Sequence, residues 1–252
     1  LRLLTLLFLL GLAGPAWAQA PAQAAAGFWP QQLAYPRVRA AYARCWPTLA
    51  ARLQAQHLDS ARLEVFFRLL KTNRTLEVWA RNQGEAAFRR LRTYPLATTS
   101  GTLGPKRRAG DGQVPEGFYT IDRFNPRSAY HLSLGLDYPT ADDILATGLA
   151  DSGGDVFLHG SNVTVGCLPL TDAGIEEVYL LAVAARAAGQ ARIGVHLFPF
   201  PLTESELRKR AASPHAAFWR GLAPGYAYFE AHRALAPAGP LTQYATPAPA
   251  TR

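Results

Sequence analysis

Hydrophobic and polar positions change period several times along the chain. Arg37 to Leu58, RVRAAYARCWPTLAARLQAQHL, repeats apolar residues at helical spacing. Pro47 predicts a break in that helix, because proline has no amide hydrogen for the preceding turn. Cys45 lies within it, beside Trp46, and reads as a small buried hydrophobe. The period then drops to two. ARLEVFFRLL and TLEVWAR flank the polar turn KTNR and predict a β-hairpin near residues 62–80, and AFRRLRTYPLAT continues as another strand. SGTLGPKRRAGDGQVPEG is too rich in Gly and Pro for regular structure. It predicts a long loop, and long loops in compact domains are often functional. FYTIDRF and AYHLSLGLDY follow as strands, placing His131 in a strand. TADDILATGL is a short helix capped by Thr140.

The strand DVFLHG comes next. After it, AGIEEVYLLAVAARAAG returns to helical spacing, with Asp172 as its cap and Glu176 and Glu177 suited to the positive end of its dipole. RIGVHLFPFP is a further strand, carrying His196. Residues 203–235 read as two helices separated near Pro214.

The two ends look different. LRLLTLLFLLGLAGPAWA is a short apolar run behind Arg2 that closes on Ala16-x-Ala18, which predicts a secretory signal cleaved after Ala18. The run is shorter than the roughly 20 residues a membrane span needs. Residues 19–36, rich in Ala, Gln and Pro, predict a linker, and the Pro/Ala/Thr stretch 236–252 predicts a disordered tail. One domain over residues 37–235 is expected, exported to the periplasm or cell envelope, with no stable membrane span after cleavage. The 49% hydrophobic and 17% charged composition excludes a disordered chain. A net charge of +8 suits an anionic partner without choosing one. Its arginines are scattered except at PKRR, Pro105 to Arg108, so no nucleic-acid motif is present.

Candidate chemistry gathers in DVFLHGSNVTVGCLPLTD. The chain has two cysteines, and Cys167 follows a glycine soon after His159 ends a strand. An imidazole can take a thiol's proton and release the nucleophilic thiolate. Gly166 permits a tight bend that can aim successive amide N–H groups at one spot, where an oxyanion would form. The other histidines show no HExxH-like or paired-cysteine spacing for zinc, and no G-x-S-x-G signals a serine nucleophile. No metal or other cofactor is implied. Residue types alone leave buried packing open for Cys167 and a structural role open for His159.

HG followed by GC resembles the active-site signature of the L,D-transpeptidase catalytic domain family, the YkuD-type domain of peptidoglycan enzymes, in its YafK-like branch. GPKRRAGDGQVPEGFYTI, NPRSAYHLSL, FLHGSNVTVGCLPLTDAGIEEVYLL and VHLFPF carry the resemblance in order from Gly104 to Phe200. The resemblance implies an α+β fold with a mixed β-sheet core and flanking helices. It implies Cys167 as nucleophile, His159 as general base, the Gly160 carbonyl as the group holding the imidazole, and amides near Gly166 and Cys167 as the oxyanion hole. Lys106 and Arg107 in the basic loop, with Tyr130 and His131, would contact substrate. The implied partners are peptidoglycan stem peptides and a wall-tethered lipoprotein. The wider family commonly has Ser-His-Gly-Cys where this chain has Thr164-Val165-Gly166-Cys167, so the second histidine is absent. The implied activity is transpeptidation at a diaminopimelate centre. Hydrolysis that releases wall-tethered protein, or wall binding without catalysis, are the alternatives. A Cys45–Cys167 disulfide would be an inactive form.

Overall fold

The computed structural model describes residues 27–148 and 152–237. The predicted leader, residues 19–26 of the predicted linker and all but the first two residues of the predicted tail lie outside them. The helices are α1 (Phe28–Leu33), α2 (Pro36–Ala55), α3 (Ala141–Thr147), α4 (Thr171–Ala187), α5 (Glu204–Lys209) and α6 (Ala216–His232). The strands are β1 (Leu63–Leu70), β2 (Thr75–Asn82), β3 (Arg89–Pro95), β4 (Gly117–Asn125), β5 (Ser133–Leu136), β6 (Phe157–His159), β7 (Leu168–Pro169) and β8 (Gly194–Phe198). All eight form one mixed sheet in the order β3-β2-β1-β8-β4-β5-β6-β7. The architecture is α+β, as the sequence predicts. Among the described residues, no helix is long and apolar enough to cross a membrane.

Strand β1 shows why the sheet is covered on both sides. It pairs antiparallel with β2 and parallel with β8. Its side chains alternate between faces. Val65, Phe67 and Leu69 join the core that holds α2 and α4. Phe66 and Leu70 face the aromatic residues of α6, among them Phe218, Trp219 and Phe229. Arg68 interrupts the apolar series and is 4% exposed. Its Nε donates to Glu77 at 2.7 Å, it pairs with Glu230, and its guanidinium lies 5.1 Å from the Phe229 ring.

The long loop between β3 and β4 is irregular but anchored. Glu116, fully buried, accepts from Gly104 N–H at 2.8 Å, from Lys71 Nζ at 2.9 Å and from Trp219 Nε1 at 2.8 Å. The carboxylate thereby ties the loop to the end of β1 and to α6. Helix α3 carries a complete capping box between Thr140 and Asp143.

Four local predictions are corrected. Helix α2 runs through Pro47 without a break. Buried Val38, Ala41, Leu49 and Leu53 lie on both sides of the proline and dock in the core shared with α4. That packing outweighs a penalty of about 3 kcal/mol for an interior proline. The predicted linker contains α1, because Phe28 packs edge-on to Phe124 and Gln32 accepts a 2.6 Å hydrogen bond from Tyr179. His131 precedes β5 rather than lying in it, at φ 71°. Asp172 does not cap α4. The Thr171 hydroxyl accepts from Gly174 N–H at 3.3 Å, while Asp172 accepts from Ser161 N–H at 2.8 Å.

His196, on β8, is packed among Phe66, Phe118 and Phe198, with ring centroids 4.6, 4.7 and 5.7 Å away. Its Nδ1 is buried without a hydrogen-bond partner. Burial, with the nearby Arg68 charge, pushes its pKa down to about 3. An unfolded histidine titrates near 6.5. The unfolded state therefore binds the extra proton between those values, and stability falls as pH drops from about 6.5 toward 3. His196→Phe is expected to remove a loss of about 2 kcal/mol between pH 7 and pH 4.5. Urea unfolding of both proteins at the two pH values checks this. Equal pH dependence in both would show that His196 is not the group responsible.

Candidate active site

Strands β6 and β7 are short, parallel and adjacent. Leu158 pairs with Leu168 and His159 with Pro169. Because side chains alternate, Leu158 and Leu168 enter the core together, and His159 shares the opposite face with Cys167. The connection must reverse twice to bring the strands side by side. Ser161 at φ 67° and Gly166 at φ 91° supply left-handed turns. A side chain at Gly166 would also meet the Gln113 carbonyl at 3.0 Å.

His159 is 2% exposed. Its Nδ1 lies 2.5 Å from the Gly160 carbonyl oxygen. A carbonyl only accepts, so Nδ1 carries the proton and Nε2 keeps its lone pair. Burial lowers the imidazole pKa, and the bond to Gly160 opposes that shift. Gly160 is itself held, its N–H reaching Tyr130 O at 3.0 Å and Leu132 O at 3.2 Å. A Cβ there would meet Asp172 Oδ1 at 2.5 Å and His131 Cβ at 2.8 Å, so only glycine fits. The Tyr130 ring is tilted against His159 with centroids 4.9 Å apart and is 48% exposed.

The Cys167 thiol is 3.5 Å from the Asp155 carbonyl. It lines a cavity of about 150 Å³ together with Lys106, Gly110, Gly153, Asp155 and Gly166. Burial raises the thiol pKa, while the Phe157 backbone amide and the Lys106 charge oppose the rise. A raised thiol and a lowered imidazole both favour the neutral form at rest. Cys45 is a contrast. Burial and then Glu176 push its thiol up to about 11, and its Sγ lies 3.5 Å from Glu176 Oε2. Both cysteines are free.

Both amides expected in the oxyanion hole are occupied. Gly166 N–H donates to Ser100 Oγ at 2.7 Å, and Cys167 N–H donates to Thr164 Oγ1 at 2.8 Å. The bend brings them to two different hydroxyls rather than to one empty spot. Sequence reasoning missed both. Thr164 had a signal, a hydroxyl three residues before the amide it caps; Ser100, 66 residues away, had none.

The basic loop also departs from expectation. Lys106 is 7% exposed and pairs with Asp111 at 2.7 Å, so it reaches the cavity wall as half of a buried ion pair. Arg107 turns toward α6, its guanidinium 5.2 Å from the Phe218 ring, and is not among the cavity's lining residues. His131 is engaged by Glu176, Nε2 to Oε1 at 2.6 Å, which removes that nitrogen from any substrate contact. Glu176 was legible only as a residue suited to a helix dipole. Its pairing with Arg44 and His131 joins segments 132 and 45 residues distant, and nothing local announces it.

Residues 65–186 match the L,D-transpeptidase catalytic domain family, YkuD. The Escherichia coli K12 protein named "Putative L,D-transpeptidase YafK" is 35% identical over 171 residues, which cover 67% of this chain and 68% of that protein. Among solved structures, the helical cell shape determining protein Pgp2 of Campylobacter jejuni is 22% identical with a TM-score of 0.42, covering 54% of this chain. This chain spans about half of Pgp2, 47% of its length. L,D-transpeptidase 1 of Mycobacterium tuberculosis is 14% identical with a TM-score of 0.30, covering 54% of this chain and 62% of that one. From the match to the domain and the identity to YafK, this chain belongs to the L,D-transpeptidase family with a YkuD-type catalytic domain.

Proposed function

We propose that this protein is a cysteine-dependent peptidoglycan L,D-transpeptidase, acting through a thioester at stem peptides that contain meso-diaminopimelate. The observation that supports the reading is the short return from His159, the last residue of β6, to Cys167, which directly precedes the paired β7, with the Gly160 carbonyl fixing the base. Fixing Nδ1–H leaves Nε2 as the proton acceptor. Among the described residues, no hydrogen bond reaches Nε2.

The neutral resting thiol and imidazole define the first step. His159 Nε2 takes the thiol proton as sulfur attacks the amide carbonyl carbon at the diaminopimelate centre. The carbon–nitrogen bond then breaks, the imidazolium returns its proton to the leaving amine, and the acyl group stays on sulfur. A second diaminopimelate amine attacks the thioester, the carbon–sulfur bond breaks, and the thiolate recovers a proton. Water in place of that amine gives hydrolysis, including release of a wall-tethered lipoprotein. Residues 1–18, outside the described structure, would direct export to the envelope where this substrate lies.

Incubation with purified peptidoglycan, followed by mass analysis of released and joined muropeptides, tests the reading. New 3-3 cross-links support transfer; trimmed stems alone assign the acceptor to water; binding without either product overturns catalysis. Cys167→Ala is expected to abolish turnover, while Cys45→Ala leaves it nearly unchanged. Intact mass after carbapenem treatment should show an adduct on wild type and Cys45→Ala, and none on Cys167→Ala. Full activity in Cys167→Ala rules out the nucleophile.

His159→Ala is expected to slow acylation by about 10²–10⁴-fold, the usual worth of general base catalysis. His196→Ala and His131→Ala should cost less in the same single-turnover assay. A larger loss in His196→Ala would move the base to another residue.

The pH dependence of thiol chemistry follows from the two opposed shifts at the pair. Iodoacetamide labelling of Cys167, located by peptide mass, should keep rising with pH beyond an ordinary thiol's midpoint of about 8.5. A reactive plateau reaching down to pH 6 would instead reveal a preformed thiolate–imidazolium pair.

A further inference from the structure

We propose that Glu176 is a positioning residue for His159, acting through His131 and Gly160; this rests on the function proposed above. The chain of contacts is continuous. Arg44 grips Glu176 with two hydrogen bonds, Nε to Oε2 at 3.0 Å and Nη2 to Oε1 at 2.5 Å. Glu176 Oε1 holds His131 Nε2 at 2.6 Å. His131 sits at a left-handed φ of 71°, a conformation that a non-glycine residue keeps only when its surroundings hold it. Arg37 adds a second grip by donating to the Ser128 and His131 carbonyls.

That strained turn is the wall against which Gly160 rests. Tyr130 O and Leu132 O, on either side of His131, both accept the Gly160 N–H, and His131 Cβ fills the place where a Gly160 side chain would stand. Gly160 O in turn accepts from His159 Nδ1. Release of His131 frees the turn, then the Gly160 peptide, then the imidazole. Glu176 is suited to this task because it is 3% exposed and ionised. Burial opposes ionisation, but Arg44, His131 and Cys45 together hold its carboxyl below the usual range.

The groups facing each histidine define what a titration can report. Tyr130 lies beside His159, while Lys106 and Asp155 face the Cys167 thiol. Asp172 and Glu176 from α4 face His131, with Arg44 and Cys45 from α2 behind Glu176. The Nδ1–H bond to Gly160 favours the imidazolium. Its loss should lower the His159 pKa and let the proton distribute over both nitrogens.

Nitrogen-15 histidine spectra of the full chain test this directly, with the His159 signal identified by its absence in His159→Ala. Wild type should show the Nδ1–H tautomer. Glu176→Ala should show a mixed tautomer, His159 titrating at lower pH, and a kcat on defined muropeptides reduced about 10- to 100-fold with KM nearly unchanged. Glu176→Gln keeps an acceptor for His131 but sets an amide NH2 against the Arg44 Nε–H, so its effect should fall between wild type and Glu176→Ala. Glu177→Gln, at a neighbouring carboxylate bound to Arg92 and Tyr94, should leave the His159 spectrum unchanged. Arg44→Ala, at a side chain 58% exposed, provides a second variant if Glu176→Ala does not fold, and should shift the spectrum in the same direction. An unchanged His159 spectrum in every folded Glu176 and Arg44 variant overturns the proposal. Shifted spectra in the variants, with a wild type inactive on muropeptides, overturn the proposed reaction and leave the relay standing.

Discussion

The parallel pairing of β6 with β7 is the constraint on which the site depends. Parallel neighbours usually need a crossover of a dozen or more residues. Here only residues 159–167 separate the paired Leu158 and Leu168. So short a return must fold back on itself, through left-handed Ser161 and Gly166. The two paired leucines are fully buried and anchor the ends. At the two ends of that return stand the imidazole of His159 and the thiol of Cys167, at positions the backbone allows little freedom to change. Helix α4 starts right after β7 and carries Asp172 back to the return at Ser161 and Glu176 to His131 in the turn before β5.

Electrostatics around the pair follow from burial rather than from strong local charge. Lys106 is the nearby cation, and Asp111 neutralises much of its field at 2.7 Å. The thiol therefore remains protonated at rest, and so does Cys45, whose neighbour is a carboxylate. Two unpaired thiols held in their less reactive form coexist in one chain. Nucleophilic power would be generated at Cys167 only when its proton has somewhere to go.

Much of the fold was legible in the sequence, because the hairpin, helix α4 and the strand before Gly160 each carry a clear period. The Thr140 cap was legible for the same local reason. Misreadings arose where distant packing outweighed local chemistry. Pro47 stays helical because the turns around it are docked, and α1 forms in a linker-like composition because Phe124 and Tyr179 receive it. The site divides likewise. Cys167, His159 and the glycines lie within one short stretch and could be read together. The basic loop could be read as basic, but not as closed on its own Asp111. Arg68, Arg44 and Arg92 serve internal pairs with Glu77, Glu176 and Glu177, which leaves the net excess of positive charge unchanged.

The two hydroxyls on the Gly166 and Cys167 amides change the terms on which a substrate would bind. An arriving carbonyl competes with serine and threonine rather than with bulk water. A neutral carbonyl oxygen is about an even match for a hydroxyl and gains little by displacing it. An oxyanion accepts hydrogen bonds roughly twice as strong as a neutral oxygen does. On the proposed reaction, the exchange becomes favourable only as charge develops. The resting hydroxyls would thus act as a threshold that discounts ground-state binding and leaves the tetrahedral intermediate its full advantage.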